Sequence, residues 1–163
     1  MMRGAFADVP LTVLFPFLTS ADVDSLRQTA STVDAARAAR PTADWEWHVG
    51  HAAFPGAQPG TPIVLGLDVI EAAAGGDQLE FLLQVVMTDS GRPAVDAAVN
   101  VACWCETEHA THDVDALRLA VGEELSLPDA FRAGAQRLTG WLVEPYDADH
   151  WRSRAGLPPR RIN

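Results

Sequence analysis

Residues 77–106 constrain the fold more than any other stretch, because apolar side chains recur there at every second position. In residues 78–88 the apolar positions are Leu79, Phe81, Leu83, Val85 and Met87; between them stand Glu80, Leu82, Gln84, Val86 and Thr88. Successive side chains of a β-strand point to opposite faces, so this pattern predicts a strand with one face buried and the other partly so. Asp89, Ser90, Gly91, Arg92 and Pro93 are a run of turn formers. Beyond them the alternation resumes, with Val95, Ala97, Val99, Val101, Cys103 and Cys105 on one side. Asp96, Ala98, Asn100, Ala102, Trp104 and Glu106 take the other. Two period-two runs joined by a short Gly/Pro loop predict a long β-hairpin on which the rest of the chain packs.

At 163 residues the chain is read as a single domain over residues 1–163, large enough to bury a core. With 48% hydrophobic and 21% charged residues it falls among folded rather than disordered chains. A formal net charge of −10 argues against nucleic acid as a partner and suits a protein that keeps basic or sticky polypeptides in solution. All twelve basic residues are arginine, and four of them follow Asp149. The basic tail over residues 150–163 is expected to be solvated. No run approaches the roughly 18 apolar residues of a membrane span. Residues 1–18 form an apolar N-terminal segment; Asp8, Pro10 and Pro16 interrupt any likeness to a secretory signal, so it is expected to pack on the body.

Two helices are predicted. Residues 19–39 open with the capping-box spacing of Thr19 and Asp22, carry Val23, Leu26, Ala30 and Val33 as a stripe, and stop at Pro41. Residues 126–143 repeat the box spacing at Ser126 and Asp129, place Pro128 in the first turn, and carry Phe131, Ala135, Leu138, Trp141 and Leu142. Gly134 and Gly140 in that helix either weaken it or mark close packing. Further strands are expected at residues 44–54, where Trp45, Trp47 and Val49 alternate with Glu46, His48 and Gly50, and at residues 63–72. Between them residues 55–62 hold too many breakers for any ladder. Residues 107–113 read as a loop and 114–121 as a short strand or irregular segment. The sum is an α+β fold: an antiparallel sheet of about four strands with helices packed on one face.

Motifs for chemistry are sparse. Cys103, Cys105, His109 and His112 are candidate zinc ligands, but structural zinc sites favour Cys-x2-Cys knuckles, and cysteines alternating on a strand match buried apolar positions. Same-side cysteines two apart on a strand are about 7 Å apart, beyond a relaxed disulfide, so reduced thiols and a cytoplasmic setting are expected. There is no Gly-x-Ser-x-Gly elbow, and Gly75-Gly76 lacks the lysine of a phosphate loop. Paired carboxylates such as Glu123 and Glu124 read as surface in an acidic chain. Trp104, Leu82 and Val86 share the mixed face of the hairpin, which either a helix covers or a partner uses.

The order of pieces, with short motifs inside it, resembles the SecB protein-export chaperone family over residues 44–160. The run Thr61-Pro62-Ile63-Val64-Leu65-Gly66-Leu67-Asp68 is similar to that family's second strand, and residues 77–105 to its hairpin. Gly134-Ala135 with Leu142 and Pro145-Tyr146 resembles its helix reaching a Pro-Tyr step, and Gly156-Leu157-Pro158-Pro159 its ending. The helix ahead of the first strand resembles the SecB-like chaperones of actinobacterial toxin–antitoxin systems. The segment between Tyr146 and Pro158 is about a turn short, Asp147 and Asp149 are more acidic than the family pattern, and the segment after the hairpin lacks its glycines. The resemblance implies a non-enzymatic homo-oligomer without cofactor that holds unfolded polypeptide, or one dedicated protein partner, in apolar grooves. Trp45, Trp47, Leu82, Val86 and Trp104 are the candidate lining. The rival expectation is an α+β small-molecule-binding protein or enzyme, with an enclosed apolar pocket and His or Asp at its mouth.

Overall fold

The computed structural model describes residues 10–51, 62–105, 108–145 and 147–160. The expected breaker-rich crossing over residues 55–62 lies almost wholly outside them. Five strands form one antiparallel sheet in sequence order: β1 (Asp44–His51), β2 (Pro62–Ala72), β3 (Gln78–Met87), β4 (Pro93–Cys105) and β5 (Glu108–Ala120). The helices are α1 (Leu11–Leu14), α2 (Ser20–Asp34), α3 (Leu127–Leu142) and α4 (Ala148–Arg154), with a 3-10 turn over Ala35–Ala39 after α2.

The β3–β4 hairpin follows the alternation. Leu79, Phe81, Leu83 and Val85 are buried together with Val95, Ala97, Val99 and Val101, and Leu83 pairs with Ala97 in the register. Its turn is closed by Thr88, whose amide and hydroxyl both donate to the Arg92 carbonyl, and by Gly91 at a φ of 77° that favours glycine. Both helix starts are capped through the expected residues. Thr19 Oγ1 accepts from the Asp22 amide at 3.1 Å while Asp22 accepts from the Thr19 amide at 2.9 Å. Ser126 Oγ accepts from the Asp129 amide at 3.3 Å.

The count of about four strands becomes five. Residues 108–120 are one long strand paired with β4 along its whole length, where a loop and a short strand are expected. The polar run hides the alternation because β5 lies at the sheet edge, and an irregularity opposite Val99/Asn100 shifts its period by one residue. Leu117 and Leu119 face the helices; Ala116, Arg118 and Ala120 face the other way.

The helices share one face of the sheet. α3 lies on β3 and β4, and a Cβ added at Gly134 would stand 2.9 Å from Val95 Cγ1 and 3.0 Å from Leu83 Cδ1. Close packing is therefore the reason for that glycine. α2 packs beside α3 through Val23, Leu26, Ala30 and Val33, all buried. Leu11, Phe15 and Leu18 of the N-terminal segment are buried in the same core, as is Trp151 of α4. Trp151 meets the ring of Phe81 edge-on, with centroids 5.6 Å apart.

Candidate functional site

The sheet's second face carries none of the helix packing just described. It can be read as rows that cross the strands, since paired residues in adjacent strands lie side by side. One row runs His48, Gly66, Gln84, Asp96, Arg118 across all five strands. Arg118 donates two bonds of 2.7 Å to the Asp96 carboxylate, the bidentate geometry that suits a guanidinium, and Gln84 Nε2 donates to Asp96 Oδ2 at 3.2 Å. His48 lies against the bare Gly66, with Nδ1 3.6 Å from Asp68 Oδ2. The flanking rows are mostly apolar. Val64, Val86, Ala94 and Ala120 form one; Leu82, Ala98 and Ala116 continue from Asp68 in the other. Val64, Leu82 and Val86 are half-buried, and Ile70, in the next row, keeps 36% of its surface exposed. The result is a face on which two rows of small and branched apolar groups flank a hydrogen-bonded polar band, while the row of Ile70 is otherwise Asp44, Glu80, Asn100 and Asp113.

The described residues expected to line a binding surface divide between the two faces. Leu82 and Val86 stand on the open face, and the side chain of Trp104 lies outside the described residues. Trp45 and Trp47 sit on the helix side, opposite Val69 and Leu67 of β2. Trp47 Nε1 donates to Asp34 Oδ1 at 2.8 Å, and the Arg37 guanidinium lies 5.2 Å from the Trp45 ring centroid. These two tryptophans seal the β1 edge of the core under the end of α2, so they do not join Leu82 and Val86. The alternation puts Trp45 and Trp47 on one face of β1, and their pairing with Val69 and Leu67 makes it the buried one.

Of the candidate zinc ligands, Cys103 and His112 share the helix-side parity, and the side chains of Cys105 and His109 lie outside the described residues. Cys103 is buried and disulfide-bonded, which corrects the expectation of reduced thiols and removes its support for a cytoplasmic setting. Cys105 is the only other cysteine in the chain, and its side chain lies outside the described residues. Among the described residues no group of three or more His, Cys, Asp or Glu is arranged to hold a metal.

A charged cluster that no motif announced lies at the helix-side end of β2 and β3. Arg40 is 1% exposed. Its Nε donates to the Leu142 carbonyl at 3.0 Å and Nη2 to the Glu144 carbonyl at 3.2 Å, so it caps the carboxyl end of α3. Its guanidinium sits 5.0 Å from the Phe81 ring centroid and 3.7 Å from Glu71, which also accepts from Thr42 Oγ1 at 2.5 Å. The Asp77 carboxylate, 1% exposed, takes Arg152 on one oxygen at 2.9 Å and Arg160 on the other. Burial raises the Asp77 pKa, but the bonds and charges of Arg160 and Arg152 outweigh it and hold the carboxyl below its ordinary range. The tail expected to be solvated is thus pinned: Arg152 and Arg160 to Asp77, and Arg154 to Glu144.

The hollows bounded by described residues are open grooves with mixed walls. About 530 Å³ lies between α2 and α3 beside Gln28, Thr29, Thr32, Gln136 and Thr139, and about 350 Å³ lies over Gly140 between the Asp115–Arg137 and Glu144–Arg154 pairs. Neither is the enclosed apolar pocket of the rival expectation. No described helix is long and apolar enough to cross a membrane. Comparison with protein-family models, with curated proteins and with solved structures found no match.

Proposed function

We propose that this chain is a non-enzymatic, SecB-like holding protein that retains non-native polypeptide, or one dedicated protein partner, on the open face of its sheet. The observation that carries this reading is the asymmetry of the sheet. The helices described pack on one face, while Val64, Leu82, Val86 and Ile70 remain part-exposed on the other, with a polar band between them. Extended polypeptide presents side chains about 7 Å apart on one side, the spacing of the rows on this face. Apolar rows would take its hydrophobic side chains, and the band of Gln84, Asp96 and Arg118 would admit polar ones between them. The acidic surface keeps such a loaded complex in solution. The reading includes a homo-oligomer and no cofactor, both drawn from the family resemblance.

Dilution of a chemically denatured client into buffer, with light scattering as readout, tests it. Several-fold excess of this protein is expected to suppress aggregation, and Leu82→Asp to reduce suppression at least several-fold while leaving the far-UV spectrum unchanged. No suppression by the wild-type chain at such excess would remove the holding function.

A further inference from the structure

Four observations at the β2–β3 turn converge on one kind of ligand. Gly75 and Gly76 hold φ values of 79° and 88°, and a Cβ at Gly75 would fall 2.5 Å from Arg160 Cδ and 2.9 Å from its Cζ. The turn therefore has an arginine-shaped gap where an ordinary residue would carry a side chain. At the end of this gap the Asp77 carboxylate is nearly sealed from solvent, with one oxygen committed to Arg152 and the other to Arg160. The two arginines are held differently. Arg152 belongs to α4, is buried, and also donates through Nε to the Pro158 carbonyl at 2.8 Å. Arg160 reaches the site from the chain's extended tail and is 36% exposed. With Arg160 withdrawn, one buried carboxylate oxygen loses its donor, a state that favours refilling by another cation of the same shape.

We infer that the Gly75–Asp77 turn is a receptor for an arginine guanidinium, filled in cis by Arg160 and able to take the arginine of an incoming chain when the tail lifts. The tail is a latch whose advantage over a free arginine is its tether, which supplies an effective concentration in the millimolar range. Nη2 alone bonds Asp77, and the flat guanidinium lies against the bare Gly75, where a Cβ would come within 2.9 Å of Cζ, so a flat cation is what the slot accommodates. This site lies on the helix side, so it stands or falls independently of the open-face reading.

Full-length Arg160→Ala tests the inference, with ethylguanidinium as the side-chain probe and ethylammonium as control. Ethylguanidinium at millimolar concentration is expected to raise the melting temperature of Arg160→Ala saturably, by about 4 °C at ten times half-saturation. Wild type, with its site filled, and the Asp77→Asn/Arg160→Ala double variant are expected to show no saturable rise. An equal response to ethylammonium, an equal response in the double variant, or no response at all would each overturn the receptor. Where Arg160→Ala does not fold unaided, recovery of its far-UV signal on adding ethylguanidinium supports the receptor, and no recovery overturns it.

Discussion

A charged side chain inside a protein persists only where its partners replace water, and the arginines of this chain show how specific that replacement is. Arg40 looks, in sequence, like a cation at the end of its own helix; it is instead buried against the carboxyl end of another, beside the rings of Phe81 and Trp151. Nothing local in the sequence marks it, because its partners are about a hundred residues away. Asp77 gives the sharper test. Its carboxyl titrates below the ordinary range in the folded state, so its contribution is present above the unfolded value and is lost as pH falls through the folded one. At pH 7, Asp77→Asn is expected to cost about 3 kcal/mol in denaturant melts, since it leaves Arg152 buried without a counter-ion. Below about pH 4 the gap between variant and wild type should narrow, as wild type loses the ionised pair and the variant has none to lose. A gap that stays constant with pH would mean that Asp77 acts through packing alone. Cys103 offers a second check: alkylation of denatured, unreduced protein should leave its peptide unlabelled, and full labelling would restore the expectation of a free thiol.

Two glycines of α3 separate propensity from packing. In sequence both read as weak points of a helix, and the same substitution should now move stability in opposite directions. Gly140 is exposed and a Cβ there meets nothing within 4 Å, so Gly140→Ala is expected to stabilise by about 0.5 kcal/mol. Gly134 touches Val95 and Leu83, so Gly134→Ala should destabilise by about 1–3 kcal/mol, because overpacking exceeds the gain in helix propensity. Equal shifts in the two melting temperatures would contradict the packing of α3 on the sheet. The same distinction explains what the sequence makes readable among the elements. Hairpin parity, both N-caps and the α2 stripe depend on residues close in the chain, and they appear as the alternation and spacing predict. The polar strand β5 depends on pairing with β4, and the pinned tail depends on Asp77, and neither carries a local signature. Trp45 and Trp47 are an intermediate case: their period was plain, but the face they occupy follows only from their pairing with Leu67 and Val69.

For the molecule as a whole, the sheet has one sealed face and one part-exposed face, and two uses compete for the second. A sheet face rich in alanine suits packing against another sheet, at the usual spacing of about 10 Å, as well as it suits a captive strand. The two uses differ in what a buried charge does. On an oligomer interface, Leu82→Asp desolvates a carboxylate against its own copy in every assembly, so solution mass should fall toward the 17.5 kDa of one chain. On a client surface the carboxylate remains in water until a client arrives, so the mass should equal that of wild type while holding capacity falls. Light-scattering mass and aggregation suppression measured on the same sample decide between them. The holding function expects unchanged mass with lost suppression. A drop in mass would place the copy-to-copy contact on this face, and the client-binding role of Leu82 and Val86 would be withdrawn.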